Sequence, residues 1–250
     1  MKRPRLADYR LPQATDALNG CLIELTVDGG GHLALQFDGQ SVEWQASALA
    51  WADKGRDACD VVELRPGVYF VDVDFAGRPL EALTLVFSRS SGRALVVHQE
   101  RHPGANPAVA QSFHAALVDR TTPSGEMPGP TAELNGRWHL LRYSSVNLYE
   151  HIYVSTTRMG AHNLATENTA GRAEFHDTTY WRFEDGLYVI GWRERDSEAA
   201  MVVCEDVKTL RSTGKVLHPV SAERSDNAPI GGHILPVRVH FPEGVEFDRP

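Results

Sequence analysis

Two runs decide the fold: Leu148-Tyr149-Glu150-His151-Ile152-Tyr153-Val154, and Asp185-Gly186-Leu187-Tyr188-Val189-Ile190-Gly191-Trp192-Arg193-Glu194. Both are rich in β-branched and aromatic residues and alternate in polarity, which predicts strands. Side chains on a strand point to opposite faces in turn. Tyr149, His151 and Tyr153 therefore share one face, and Glu150, Ile152 and Val154 the other. By the same rule Tyr188, Ile190, Trp192 and Glu194 share a face. An antiparallel sheet that collects His, Tyr, Trp and Glu on an inward face is an unusual core and a candidate ligand cavity.

The texture around these runs is short strands separated by turns. Leu22–Val27, His32–Phe37 and Ser41–Gln45 read as strands, with Asp28-Gly29-Gly30-Gly31 and Asp38-Gly39 between them. Asp60–Leu64 and Val68–Asp74 flank Pro66-Gly67, and Leu83–Phe87 and Ala94–Gln99 make a further hairpin. Ala46–Asp57 has helical composition, and Asn106–Val118 reads as a short helix. Residues 1–16 read as an arm or a docked lead-in, and the Pro/Gly-rich stretch within 119–131 as a linker.

An internal repeat is visible. Leu18-Asn19-Gly20 recurs as Leu134-Asn135-Gly136, and the hairpin around Pro66-Gly67 recurs around Asp185-Gly186. Ser91-Gly92-Arg93 is matched to Thr213-Gly214-Lys215. Two copies of many short strands, with little helix, predict an all-β chain of two tandem antiparallel β-barrels, residues 17–118 and 132–245. Closure of each barrel removes exposed sheet edges, and about eight strands leave room for one small ligand.

Composition narrows the function classes. A net charge of −8 argues against nucleic acid or an anionic membrane as partner. No apolar run reaches the roughly 20 residues of a membrane-spanning helix, and the first residues lack the apolar core of a secretory signal, so a cytoplasmic location is expected. The 3 cysteines, Cys21, Cys59 and Cys204, lack paired spacing and read as buried free thiols.

The runs Tyr149–Tyr153, Gly186–Glu194 and Leu210–Val216 resemble the C-terminal domain of the molybdenum cofactor biosynthesis protein F (MoaF) family, and the first half resembles its N-terminal domain. That family is similar to the calycins, the lipocalin-like barrels, including phenolic acid decarboxylases. The resemblance implies a catalytic role for Glu194 in Gly186-Leu187-Tyr188-Val189-Ile190-Gly191-Trp192-Arg193-Glu194. Where the decarboxylases place an arginine this chain has His162, and of their tyrosine pair only Tyr143 is in the neighbourhood, so phenolic acid decarboxylation is not implied.

The expected site is therefore in the second half: Glu194, His151 and His162 as acid–base groups, with Tyr149, Tyr153, Tyr188 and Trp192 contacting substrate. A carboxylate in an apolar barrel suits proton transfer near neutral pH, and tyrosine hydroxyls can hold a developing oxyanion. No cofactor is expected. Nor is a metal, since His151, His162, His176 and Glu194 lack local metal-site spacing. Asp72 and Asp74 are assigned to a solvent face. The first half has Val73, Phe75 and Gln45 where the second has Trp192, Glu194 and His162, so the polar set belongs to one copy only. The expected function is a lyase or isomerase acting on a small aromatic or enolisable molecule. Alternatives are a carrier of a metabolite such as a pterin, and an accessory assembly protein; a homodimer is compatible with each.

Overall fold

The computed structural model describes residues 6–235 and 237, apart from 52 and 166–169. The first barrel is closed by eight antiparallel strands: β1 (Leu22–Val27), β2 (Gly31–Asp38), β3 (Ser41–Ser47), β4 (Lys54–Arg65), β5 (Val68–Asp74), β6 (Glu81–Ser88), β7 (Arg93–Arg101) and β8 (Val109–Val118). Each pairs with its sequence neighbours, and β8 returns to β1. A two-residue β9 (Gly129–Pro130) then lies against the second barrel. That barrel comprises β10 (Trp138–Arg142), β11 (Leu148–Ser155), β12 (Arg158–Ala165), β13 (Ala173–Glu184), β14 (Leu187–Arg193), β15 (Ala200–Asp206), β16 (Arg211–Ser221) and β17 (Arg224–Leu235). Pairing of β12 with β13 and of β10 with β17 closes it. Among the described residues no helix is long and apolar enough to cross a membrane.

Alternation explains the two cores. In β2 the buried residues Leu33, Leu35 and Phe37 face inward, while the residues between them are more exposed. In the second barrel Tyr153, Met159, Tyr180, Tyr188, Ile190 and Trp192 hold the equivalent inward places. The repeat is exact in register. Gly20 N–H donates to Phe37 O, and Gly136 N–H donates to Tyr153 O. The turns at Gly67 and Gly186 both need left-handed backbone, with φ of 75° and 69°.

The barrels pack outer wall to outer wall. Val62, Val68, Phe70, Val86 and Val97 of the first meet Phe183, Leu187, Val189, Val202 and Cys204 of the second in one buried cluster. Polar groups at this junction are matched across it. Arg65 reaches Asp206 through two bonds of 2.6 and 2.7 Å, and Lys215 Nζ lies 2.5 Å from Asp72 Oδ1. Asp72 does face outward, as its alternation requires, but the second barrel covers it, so it is buried and not solvated. Asp74 is exposed as expected.

Three other expectations are corrected. Ala46–Asp57 is not a helix: β3 and β4 occupy its ends, and the loop between them folds Trp51 in to stack on His98 at 5.4 Å. Asn106–Val118 contains β8, because closing the barrel requires an eighth strand whatever the local propensity. Thr213-Gly214-Lys215 lies inside β16; register equates Arg93 with Arg211, and the turn residue matching Gly92 is Leu210, also left-handed with φ of 57°. Residues 6–10 take the docked form of the lead-in. Gly231 N–H donates to Leu6 O and Tyr9 N–H to Tyr143 O, so residues 6–9 bridge β17 and the end of β10.

Candidate functional site

The inward face of the second barrel carries the candidate chemistry. Alternation along β15 turns Met201, Val203 and Glu205 inward, and Glu205 has no exposed surface. On β10 the inward residues are His139, Leu141 and then Tyr143 just past the strand end. On β11 they are Tyr149, His151 and Tyr153. These elements meet at the Glu205 carboxylate. Tyr153 Oη donates to Oε1 at 2.6 Å, and His139 Nδ1 stands 2.7 Å from Oε2. His151 Nδ1 is 3.9 Å from Oε1, too far for a hydrogen bond, and has no hydrogen-bond partner among the described residues. Tyr143 Oη is likewise buried with no hydrogen-bond partner among the described residues. Rings enclose the cluster: Trp192 meets His151 edge-on at 5.4 Å, and Tyr180 meets Tyr153 at 5.6 Å.

Burial alone would push the Glu205 carboxyl up, but the hydrogen bond and charge of His139, then His151 and Tyr153, hold it below the ordinary value. Burial pushes His151 down to about 4, more than the nearby carboxylate restores. Tyr153 and Tyr143 are raised well above the ordinary value, first by burial and then by Glu205. At neutral pH the cluster is thus an ionised Glu205, a neutral imidazole at His151, and tyrosine hydroxyls that keep their protons.

Of the residues expected from sequence, His151, Tyr153 and Trp192 come together around Glu205. Tyr149 is inward and nearer one end, its ring 5.6 Å from that of Tyr143. Tyr188 is inward at the opposite end, where its hydroxyl donates to Glu133 at 2.8 Å and Arg137 lies over its ring. Glu194 lies one residue beyond β14, half-buried at the Tyr149 end; burial raises its pKa and the Ser197 hydroxyl donates to it. His162 does not join the site. It alternates with the inward Ala161 and Asn163 and so lies on the outer wall, with Nδ1 3.0 Å from Glu150.

The sequence reading missed Glu205 and His139. The available signal was alternation in Met201-Val202-Val203-Cys204-Glu205-Asp206, which places a carboxylate in line with two apolar inward residues. Among the described residues no three His, Cys, Asp or Glu side chains are arranged to hold a metal ion.

The first barrel shows what this fold carries when the polar set is absent. Tyr69 pairs with Phe87, as Tyr188 pairs with Glu205. Ile23 pairs with Leu35, as His139 pairs with His151. Phe37 stands for Tyr153. Leu35 pairs in turn with Trp44, whereas His151 pairs with Ala161. Trp44 packs on Phe75 at 4.8 Å and plugs that end of the first barrel. The same places in the second barrel hold Ala161 and Glu194.

A cleft of about 470 Å3 also lies at the junction, lined by Arg65, Arg93, Arg182 and Lys208. Their cations are already engaged by Asp206, Glu184, Glu126, Glu133 and Asp185, which leaves little chemistry for a ligand.

Comparison with known proteins agrees with the two-barrel division. The family models described as MoaF N-terminal domain and MoaF C-terminal domain match residues 6–102 and 128–238. The chain belongs to the MoaF family. Protein MoaF of Klebsiella aerogenes is 25% identical to this member over 194 residues, which are 72% of this chain and 70% of the relative. A Burkholderia vietnamiensis protein provisionally described as a beta-lactamase superposes on 42% of this MoaF-family chain and 95% of its own, at 18% identity and a TM-score of 0.36.

Proposed function

We propose that the second barrel binds a small planar organic molecule and moves a proton on it with its own side chains, as a lyase or isomerase of an enolisable or aromatic compound. One observation carries this reading. A fully buried carboxylate, with two histidines and two tyrosines around it, occupies places that the sister barrel fills with Phe87, Ile23, Leu35, Val27 and Phe37. Burying a carboxylate costs several kcal/mol, which the fold itself does not require.

In this reading His151 is the base. Its Nδ1 faces Glu205, which leaves Nε2 to take the proton. Glu205 at 3.9 Å then stabilises the imidazolium as it forms, and such contacts are commonly long before substrate binds. His139 and Tyr153 hold the carboxylate in place. The Tyr143 hydroxyl, which has no hydrogen-bond partner among the described residues and keeps its proton, donates to the developing oxyanion. Replacement of the Trp44–Phe75 plug by Ala161 and Glu194 supplies the entrance, with Tyr149 beside it.

Both oxygens of Glu205 are already engaged, which favours a second reading in which the barrel binds a metabolite without transforming it. The experiment starts from a thermal-shift screen of small enolisable and aromatic compounds on the wild-type protein and on Ala161→Trp/Glu194→Phe, which rebuilds the plug. Ligands that stabilise the wild type should lose their effect on the plugged variant. Equal shifts in both proteins would place binding elsewhere and sink the proposal. Turnover of a hit that survives in His151→Gln would leave only the binding reading.

A further inference from the structure

We infer that the second barrel selects a small aromatic molecule carrying a protonated amine and rejects one carrying a carboxylate. This inference rests on the reading that the second barrel holds the ligand. The argument is the charge inventory of its inward face. β10 contributes His139, β11 His151, β13 His176 and β15 Glu205. Inward positions of β12 and β14 carry Met159, Ala161, Asn163, Tyr188, Ile190 and Trp192, none of them cationic. On β16 and β17 the inward residues are Ser212, Gly214, Val216, Ala228, Ile230, Gly232 and Ile234. His218 and Asp226 lie beyond the last β15 partner, on a hairpin tip that reaches the first barrel. Lys215 faces outward to Asp72. Between the two rims, then, the described residues place no lysine or arginine inside.

The rims do not reverse this sign. At the Tyr188 end Arg182 is held between Glu126 and Glu133 and Arg137 lies over the Tyr188 ring, so the described residues there balance two guanidiniums with two carboxylates. At the Tyr149 end Arg172 is held between Glu174 and Asp196, with the half-buried Glu194 beside them. Among the described residues the entrance proposed above therefore has three carboxylates to one guanidinium, which draws cations and repels anions.

Inside, the Glu205 carboxylate accepts one hydrogen bond on each oxygen, from Tyr153 and His139. A carboxylate offers roughly four acceptor positions, so it retains capacity for an ammonium donor. The faces of Trp192, Tyr149 and Tyr180 suit a cation attached to a ring. A carboxylate ligand would meet Glu205 with no lysine or arginine between them, and like charges in a buried site oppose each other strongly.

Three probes of one size test this: benzylamine, benzyl alcohol and benzoate, titrated at pH 7.5 and followed by ligand-observed NMR. The amine should bind the wild-type chain at least tenfold more tightly than the alcohol, and benzoate most weakly. Glu205→Gln should bring amine and alcohol within about twofold of each other while alcohol binding persists. Glu194→Gln, at the rim, should remove part of the preference and provides the reading if Glu205→Gln fails to fold. Benzoate binding as tightly as benzylamine, or an amine preference untouched by these variants, would overturn the charge selection and leave the barrel as a ligand site. If none of the three binds in a way that Ala161→Trp blocks, the barrel-site reading falls and the selection with it.

Discussion

Glu205 and Phe87 occupy the same place in two copies of one barrel, each opposite an inward tyrosine, Tyr188 or Tyr69. The same closed eight-stranded wall thus forms around a fully buried carboxylate and around a fully apolar ring. Buried ionic networks can be replaced by packed apolar groups with no loss, or with a gain of about 1–4 kcal/mol. The combined change His139→Ile, His151→Leu, Tyr153→Phe and Glu205→Phe installs the first barrel's residues and should give a protein at least as stable as the wild type. Its melting temperature and denaturant midpoint measure this; a large drop would mean that the polar cluster is a structural necessity.

Removing Glu205 alone should have the opposite effect. Glu205→Leu leaves the His139 ring and the Tyr153 hydroxyl buried without their acceptor, a loss of roughly 2–5 kcal/mol. Urea unfolding of the single and combined variants would show whether the cost lies in the stranded partners, as expected, or is absent.

Acid should weaken the protein through His151. Its folded pKa is pushed down to about 4, below the ordinary 6.5, so between these values the unfolded chain binds the extra proton. Stability is therefore fully present above about 6.5 and declines as pH falls toward 4, by about 3 kcal/mol from this one buried group. The lowered His176 and Glu205 act in the same direction. In His151→Leu, unfolding free energies measured from pH 7.5 down to 4.5 should fall less steeply than in the wild type.

The junction makes a separate prediction. Lys215 and Asp72 are both buried, and burial lowers the lysine and raises the aspartate while each offsets part of the other's shift. Lys215→Met strands a buried carboxylate and should cost about 3–5 kcal/mol, whereas Lys215→Met with Asp72→Leu should recover most of it. A double-mutant cycle on unfolding free energies reads this coupling.

Gly191 stands where the first barrel has Asp72, and a Cβ there would come within 2.7 Å of Gln111 and Phe113. Gly191→Val should wedge the barrels apart at a cost of about 1–3 kcal/mol while leaving each core intact. Limited proteolysis between residues 119 and 137 should accelerate; unchanged cleavage would show that the junction yields without separating.

Much of the architecture was legible because it rests on period-two alternation and on glycine turns, both local signals. The runs around His151 and Trp192 showed both, and so did the repeat through Leu18-Asn19-Gly20 and Leu134-Asn135-Gly136. What failed was non-local. Trp51 suggested a helix, but its indole is used to stack on His98 from a loop. His162 sits between Ala161 and Asn163, a run with no clear alternation, and only its register against Glu150 shows that it faces outward. Alternation along β15 can turn Glu205 inward, but its partners come from β10 and β11, more than fifty residues away in sequence, and only the closed barrel brings them together.

The arm gives the chain an order of assembly. Leu6 and Tyr9 are made first, yet their partners Tyr143 and Gly231 belong to the second barrel, and Gly231 lies on its final strand. The first barrel has all its strand partners once β8 has emerged and can close early, as domains generally do during synthesis. The strap cannot. It stays unlatched until β17 is in place, and then ties the start of the chain to the last wall of the barrel that carries the polar cluster. Through Arg10, which is ion-paired to Asp60, that latch also reaches back to the first barrel. Completion of the second barrel is thereby registered by residues that were synthesised before either barrel existed.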